Sequence, residues 1–218
     1  MSWSKVKKEE NFGEDNRKYN RERPQYKLGL QLFDLLQLSP QKKIVDIGAG
    51  MGEFADILSE KGFKVVCIDG ADNCYRELIK KGYETYKIDL ETQKLPFSDN
   101  SFDLVISLEV IEHIWNTKNY LSEIRRILIP NGYAIFTTPN YNHWMFRLQH
   151  LVGNFEKFTY GSRHKKFYTV KSIRKELERF FKVQKIVGRI VLPKLQFNSK
   201  YFMNFLCLHV GLLCKNDK

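Results

Sequence analysis

The chain has 218 residues, and 43% of them are hydrophobic, which suits one globular domain whose core needs no disulfide. Its four cysteines form no C-x-x-C pair, so we expect free thiols in a reducing compartment and a cytoplasmic protein. The charged N-terminus lacks a signal-peptide pattern, and no stretch reaches the ~18 apolar residues of a membrane-spanning helix. These features predict a soluble protein with at most a peripheral membrane contact.

The formal net charge of +11 is unevenly distributed along the chain. Residues 140–218 carry sixteen Lys or Arg and only four Asp or Glu, whereas residues 41–139 carry twelve and fifteen. A basic region of this size favours an anionic substrate, nucleic acid or an anionic membrane surface as partner. A solvated basic face without any partner has the same charge pattern, so these alternatives stay open.

From Lys43 to Asn140 the chain alternates between predicted strands and predicted helices. Residues 1–25 form a polar arm, and the spacing of apolar residues then predicts a helix from about Tyr26 to Leu38. The predicted strands that follow are KIVDIG, KVVCIDG, YETYKIDL, FDLVISL and GYAIFTTPN. Helical segments follow the first, second and fourth of these strands, and Asn116 caps the last of those helices. This alternation predicts an α/β fold: a Rossmann-like, doubly wound sheet, mostly parallel, with helices on both faces.

The alternation stops after Asn140. Residues from about 140 to 168 are aromatic, basic and punctuated by glycine, and a long insertion in a compact domain is often functional. Thr169 then caps a predicted helix, VKSIRKELERFF, and the strands KVQKIVGRIVL and LHVGLLCKN follow. We therefore expect one domain over residues 26–218, with an insertion at 140–168 and an antiparallel last strand.

The stretch DIGAGMGE, from Asp46 to Glu53, is a glycine loop between the first strand and the next helix. In a doubly wound sheet this loop lies at the carboxyl ends of the strands, where ligands bind. The dinucleotide pattern G-x-G-x-x-G would require a glycine at Glu53, and a phosphate-binding Walker loop would require Gly-Lys-Ser/Thr. The acid at Asp46 disfavours a phosphate and suits a ligand that carries an amine or another cation.

The segment Asp46-Ile47-Gly48-Ala49-Gly50-Met51-Gly52 resembles the first motif of class I methyltransferases that depend on S-adenosylmethionine (SAM). Four segments follow in the order of that family: CIDGAD with Asp69, KIDLE with Asp89, LPFSDNSFDLVISLEVIEHI, and RILIPNGYAIFTTPN. The resemblance is close from about residue 39 to 140. It extends more loosely through RHKKFYTVKSIRKELERFFKVQKI, which is similar to the tails of quinone, sugar and natural-product methyltransferases.

The resemblance implies a SAM site, with S-adenosylhomocysteine as the product. Asp46 would organise the methionine amine, Asp69 would accept hydrogen bonds from both ribose hydroxyls, and Asp89 would accept one from the adenine amino group. Ser107 and Leu108 would lie beside the methionine portion and the transferable methyl. The predicted SAM-binding residues are Asp46, Gly48, Ala49, Gly50, Gly52, Asp69, Gly70, Asp89, Leu90, Ser107, Leu108 and Glu109.

Methyl transfer is an in-line displacement, so positioning and desolvation supply much of the catalysis, and a base is needed only if the acceptor must lose a proton. His113, in EVIEHI after the fourth strand, is the predicted base because imidazole titrates near neutral pH, and Glu112 could orient its ring. A structural histidine at a helix start is the alternative. The five histidines include no H-x-x-x-H pair, and TTPNYNHW contains no carboxylate, so the sequence predicts no metal.

The insertion is predicted to form the acceptor side. Its interleaved aromatic and basic residues suit a small-molecule acceptor, anionic or linked to a lipid or saccharide, and they also suit RNA. The predicted acceptor contacts are Asn140, His143, Trp144, His164 and Tyr168. We favour the small molecule because no RNA-binding module is recognisable. The alternatives are an RNA methyltransferase that uses the basic last third, and a SAM-binding interaction protein without catalysis. Aromatic residues that merely cover the sheet edge would give the same pattern.

Overall fold

The computed structural model describes residues 22–153, 164–190 and 204–218, and a seven-stranded sheet organises them in the order β3-β2-β1-β4-β5-β7-β6. Its strands are β1 Ile44–Ile47, β2 Val65–Asp69, β3 Glu84–Lys87, β4 Phe102–Leu108, β5 Leu128–Pro139, β6 Lys182–Ile190 and β7 Cys207–Lys215. Strands β1 to β5 pair in parallel, whereas β7 runs antiparallel to both of its neighbours. The predicted α/β class and the antiparallel last strand are confirmed.

Six α-helices and one short 3-10 helix connect these strands in the described part of the chain. The helices are α1 Pro24–Asp34, α2 Glu53–Glu60, α3 Asp72–Lys80, α4 Thr117–Ile127, α5 Trp144–Leu151 and α6 Val170–Leu177, and the 3-10 helix is Ile111–His113. Their apolar faces form two cores. Helices α1, α2 and α3 pack on one face of the sheet, and α4 and α6 pack on the other. The prediction of helices on both faces is therefore confirmed.

The boundaries of α1 differ from the sequence prediction. The helix begins at Pro24, where the fixed φ of proline suits a first turn, and it ends at Asp34 rather than at Leu38. Gln37, at φ +45°, turns the chain out of the helical conformation. Leu36 and Leu38 still pack against the core from the loop, which explains why the apolar spacing continues past the helix end.

Two predicted helix caps are confirmed. The Asn116 side chain accepts a hydrogen bond from the Asn119 backbone N–H at 3.1 Å, which caps α4. Thr169 Oγ1 accepts from the Ser172 N–H at 3.1 Å, and Ser172 Oγ accepts from the Thr169 N–H at 2.8 Å, which forms a reciprocal capping box on α6. The cap residues thus fix where the helices on this face of the sheet begin.

Helix α5 lies inside the predicted insertion and was not predicted as a helix. The His143 side chain accepts from the Met145 N–H at its start. The central part of the insertion, and most of the predicted polar arm over residues 1–25, lie outside the described residues. Among the helices that are described, none has the length and apolarity needed to cross a membrane.

Candidate active site

The loop from β1 to α2 brings three glycines to the carboxyl edge of the sheet. Gly48 has φ +74°, and a Cβ atom there would lie 2.4 Å from Val110 Cγ2. Gly52 has φ +84°, and its Cβ would lie 2.8 Å from Leu78 Cδ2. At these two positions both the backbone conformation and the packing require glycine. At Gly50, in contrast, the nearest atom to an added Cβ is Glu53 Oε2 at 4.0 Å, so the loop is open at its centre.

Asp69, at the end of β2, is joined to this loop. One of its carboxylate oxygens accepts from the Gly50 N–H at 2.9 Å, and the other accepts from the Ala71 N–H at 2.8 Å. Gly70 lies between Asp69 and Ala71 in the chain, and a Cβ atom at Gly70 would lie 3.0 Å from the Ile88 carbonyl oxygen. A carboxylate has about four acceptor sites, so Asp69 retains capacity for ligand hydroxyls while it fixes the loop.

Asp46, inside β1, is buried with only 3% of its surface exposed. Its Oδ2 atom has no hydrogen-bond partner in the described part of the chain. Burial, reinforced by the nearby charges of Asp69 and Glu53, raises the pKa of the Asp46 carboxyl to about 7. A buried acceptor without a partner is costly, and a bound cationic group would relieve that cost.

Asp89 and Leu90 follow β3 at the same edge. The Asp89 carboxylate accepts from the Glu91 N–H at 2.9 Å and from Thr92 Oγ1 at 2.8 Å, and these bonds hold its pKa below the usual value. Asp89 therefore shapes its own loop and remains exposed, while Leu90 packs partly buried against the core. The contact of Asp89 with the adenine amino group stays a prediction.

The end of β4 supplies Ser107, Leu108 and Glu109. Ser107 is buried and its hydroxyl hydrogen-bonds the Tyr120 hydroxyl at 2.8 Å, so its side chain joins β4 to α4. Glu109 has φ +56°, a strained conformation of the kind that clusters at functional sites. Its N–H donates to the carbonyl and to the hydroxyl of Thr137, both at 3.1 Å, and these bonds hold it there.

Two carboxyl groups follow β4, of which Glu109 is partly buried and Glu112 is completely buried. Thr137 Oγ1 donates to Glu109 Oε1 at 2.9 Å, and His209 Nε2 lies 3.5 Å from Glu109 Oε2. Burial and the neighbouring Glu112 raise the pKa of Glu109, while burial lowers the pKa of His209 to about 4. Both pKa shifts favour the neutral forms of the two groups, so this 3.5 Å contact is not counted as an ion pair. Glu112 is completely buried, and burial raises its pKa to about 7.

The 3-10 helix and the end of the insertion meet at Glu112. Its backbone carbonyl accepts from the N–H groups of Lys165 and Lys166, at 2.8 and 3.0 Å. This contact brings His164 next to His113, with ring centroids 4.7 Å apart. The Tyr141 hydroxyl hydrogen-bonds His164 Nδ1. Two histidines that are 51 positions apart in the sequence thus share one site, a proximity that no spacing rule would have predicted.

The other predicted acceptor residues divide into two groups. Asn140 and Tyr168 are both buried. Asn140 Nδ2 donates to the backbone carbonyls of Asn204 and Cys207, at 3.0 and 2.8 Å, and Tyr168 packs in the core. These two side chains anchor the insertion to the sheet. Trp144 is exposed on α5, and His143 is buried with its Nε2 atom unpartnered among the described residues. His209, which β7 places beside Pro139, was not predicted.

A family model described as a methyltransferase domain matches residues 18–182. The chain belongs to this methyltransferase family. The chain is 29% identical over 102 residues to a probable SAM-dependent methyltransferase of Mycolicibacterium smegmatis, covering 45% of this chain and 38% of the relative. It is 31% identical over 125 residues to a ubiquinone biosynthesis O-methyltransferase of Rickettsia typhi, covering 52% and 46%. The matches thus span less than half the length of these relatives.

The chain also shares its fold with solved structures. A SAM-dependent methyltransferase from Archaeoglobus fulgidus superimposes with a TM-score of 0.66 at 19% identity, over 88% of this chain and 94% of the other. SAM is the methyl donor of this family. The glycine loop fits it, because the unpartnered Asp46 oxygen suits a cationic amine and the centre of the loop is open to a ligand.

Proposed function

We propose that this methyltransferase transfers a methyl group from SAM to a small-molecule acceptor, linked to a lipid or saccharide, at the carboxyl ends of β4 and β5. The observation that carries the proposal is the combination of the open glycine loop, the unpartnered buried Asp46 oxygen and a second polar group of Glu112, His113 and His164. Strands β1 and β4 are neighbours, so the loops that follow them lie side by side.

The chain's own residues would hold the donor as follows. SAM supplies an activated methyl on its sulfonium, so the protein mainly positions the donor and excludes water. Asp46 would bind the amine, the glycine-loop N–H groups would approach the carboxylate, and Asp69 would bind the ribose. In-line displacement then requires the acceptor on the β4 side, where His113 is the predicted base.

The lipid-linked acceptor has two supports. The Rickettsia typhi relative is named for ubiquinone biosynthesis, and we extend a related acceptor class to this chain as a proposal. Helix α5 exposes Trp144, Met145 and Leu148 beside the site, and Leu151 is 83% exposed at its end. An apolar surface of this kind suits an amphipathic acceptor or a peripheral membrane contact. The predicted cytoplasmic location stays a prediction.

The anionic part of the acceptor proposal is carried by the net charge alone. Lys165 Nζ pairs with Glu91 Oε1 at 2.6 Å, and Lys166 Nζ donates to Thr117 Oγ1 at 2.8 Å. Both lysine side chains already have partners within the fold. A neutral, amphipathic acceptor is therefore as compatible with these contacts as an anionic one.

The experiment combines SAM titration with a product screen. Calorimetric titration of the full chain should show one SAM site, and mass spectrometry of lipid and small-molecule extracts incubated with the protein and SAM should reveal a product one methyl heavier. Asp34→Asn, a surface change at an exposed ion pair with Lys61, is the matched control for Asp46→Asn and Asp69→Asn. No SAM binding at millimolar concentration would refute the proposal, and SAM binding without any methylated product would favour a non-catalytic protein.

RNA remains the second acceptor class because residues 140–218 carry the basic excess. RNA binding that depends on phosphate contacts weakens steeply as salt is raised. A binding assay with structured and single-stranded RNA across salt concentrations separates the classes. A steep salt dependence together with RNA methylation would replace the small-molecule proposal.

A further inference from the structure

We propose that Glu112, His113 and His164 bind a divalent transition-metal ion beside the acceptor site. One ligand atom from each residue, a carboxylate oxygen and two ring nitrogens, lies within 4.8 Å of the other two. Ligands around a tetrahedral zinc ion are separated by roughly 3.3 Å, given bonds of about 2.0–2.1 Å. The side chains therefore need only small rotations to close on an ion. The sequence prediction of no metal relied on linear spacing, and this group forms only in three dimensions.

The backbone prearranges the three ligands. Glu112 and His113 are consecutive in the 3-10 helix that follows β4. His164 directly precedes the two residues whose N–H groups donate to the Glu112 carbonyl, at 2.8 and 3.0 Å. The backbone next to His164 is thus hydrogen-bonded to the backbone of Glu112, which holds these two ligands near each other. A site held in this way loses little conformational entropy when an ion binds.

The burial of Glu112 is a second, independent observation. Its side chain is completely inaccessible, and only Oε2 has a hydrogen-bond donor, Thr138 Oγ1 at 3.3 Å. Oε1 has no hydrogen-bond partner within the described ranges. Buried carboxylates normally have their oxygens satisfied, either by donors or by a metal ion. A cation held between Glu112 and the two imidazoles would supply the missing partner.

The surroundings of His164 resemble the outer shell of a metal site. Its Nδ1 atom hydrogen-bonds the Tyr141 hydroxyl, and a donor role for Nδ1 places the ring's lone pair on Nε2. Tyr141 is itself held by a stacked contact with Phe146, at 4.9 Å between centroids, and by an edge contact with Phe167 at 4.7 Å. These rings would orient the histidine and limit the access of water to the ion.

The ligand set indicates the class of ion. Two imidazoles and one carboxylate favour zinc, cobalt, manganese or iron over calcium, which prefers oxygen ligands alone. Three protein ligands leave at least one coordination position for water or for an oxygen of the acceptor. Binding of the ion does not depend on the proposed function. Its role in orienting an acceptor does rest on that function, and a His113 ring nitrogen that binds the ion would not also act as the predicted base.

The test uses the full chain, stripped of metal by a chelator, with Co²⁺ and Mn²⁺ as probes. We expect one Co²⁺ per chain, with visible absorption bands typical of nitrogen and oxygen ligation. Glu112→Gln and His164→Ala should each weaken Co²⁺ binding at least about tenfold, and Tyr141→Phe should weaken it by up to about tenfold. His150→Ala, an exposed histidine on α5, is the matched control and should bind Co²⁺ like the wild type.

Retention of SAM binding by each variant shows that it is folded, because the glycine loop is separate from the three ligands. Co²⁺ binding that is absent, or that is equally strong in Glu112→Gln and His164→Ala, would overturn the metal site. A metal site without methyl transfer would instead contradict the proposed function alone. If methyl transfer continues at full rate after the metal is removed, the ion has no role in holding the acceptor.

Discussion

Asp46 provides a prediction that joins folding stability to cofactor binding. The buried environment raises the pKa of its carboxyl from 3.8 to about 7. The folded protein therefore holds this proton more tightly than the unfolded chain does. Between about pH 4 and pH 7 the unfolded state binds fewer protons, so the free energy of unfolding falls as the pH rises. The full difference corresponds to about 4 kcal/mol at pH 8, an upper limit for one group.

Replacement of Asp46 by Asn removes the titration but keeps the shape of the side chain. Urea unfolding of the SAM-free protein at pH 5 and pH 8 measures the effect. Between these two pH values the free energy of unfolding of the wild type should fall by up to about 2.6 kcal/mol more than that of Asp46→Asn, because the rest of the loss already occurs below pH 5. Asp34→Asn, on the surface, should follow the wild type. If Asp46→Asn and the wild type lose the same free energy, the burial argument is wrong.

The same carboxyl should report SAM binding. A cationic amine next to Asp46 stabilises its ionised form, so SAM binding near pH 6 should release a proton. Calorimetric titrations in two buffers with different ionisation enthalpies measure that release. The heat should depend on the buffer for the wild type and much less for Asp46→Asn, which should also bind SAM more weakly. A heat independent of the buffer would refute the contact between Asp46 and the amine.

Three other substitutions test neighbouring features. Asp69→Ala should weaken SAM binding at least about tenfold in calorimetry, because it removes the charged acceptors for the ligand and for the Gly50 N–H. Unchanged SAM affinity would contradict the assignment of Asp69 to the ribose. Gly48→Ala should lower the free energy of unfolding in urea by about 1–3 kcal/mol. Val110→Ala in the same chain should restore part of that free energy by relieving the contact, whereas purely additive losses would argue against the clash. Asn116→Ala should cost about 1 kcal/mol through loss of the α4 cap, with SAM affinity unaltered in the same titration.

The parts of the fold predicted from sequence are those with local signals. The alternation of strands and helices up to Asn140 predicted the sheet, because most of these strands, unlike β3, are short apolar runs next to a turn. Asn116 and Thr169 were predicted as caps, since a cap depends on residues within one helical turn. Helix α5 was missed because its aromatic and basic residues were interpreted as an acceptor loop. The residue that caps it, His143, is an unusual cap.

The site residues show the same division. The resemblance supplied Asp46 and Asp69, but the unpartnered Asp46 oxygen and its shifted pKa depend on burial, which the sequence does not give. The proximity of His164 to His113 depends on two backbone hydrogen bonds to Glu112. His209 reaches Glu109 only because β7 inserts next to β5. Contacts between distant segments were the part that sequence patterns could not predict.

The position of β7 between β5 and β6 in the sheet also constrains how the protein is synthesised. β6 pairs only with β7 in the described sheet, yet β7 is translated after β6. Until β7 leaves the ribosome, β5 has an unpaired edge and β6 has no strand to join, and exposed strand edges promote aggregation. The nascent chain therefore has its glycine loop complete well before the sheet closes. Chaperone demand should be greatest during synthesis of residues 140–206.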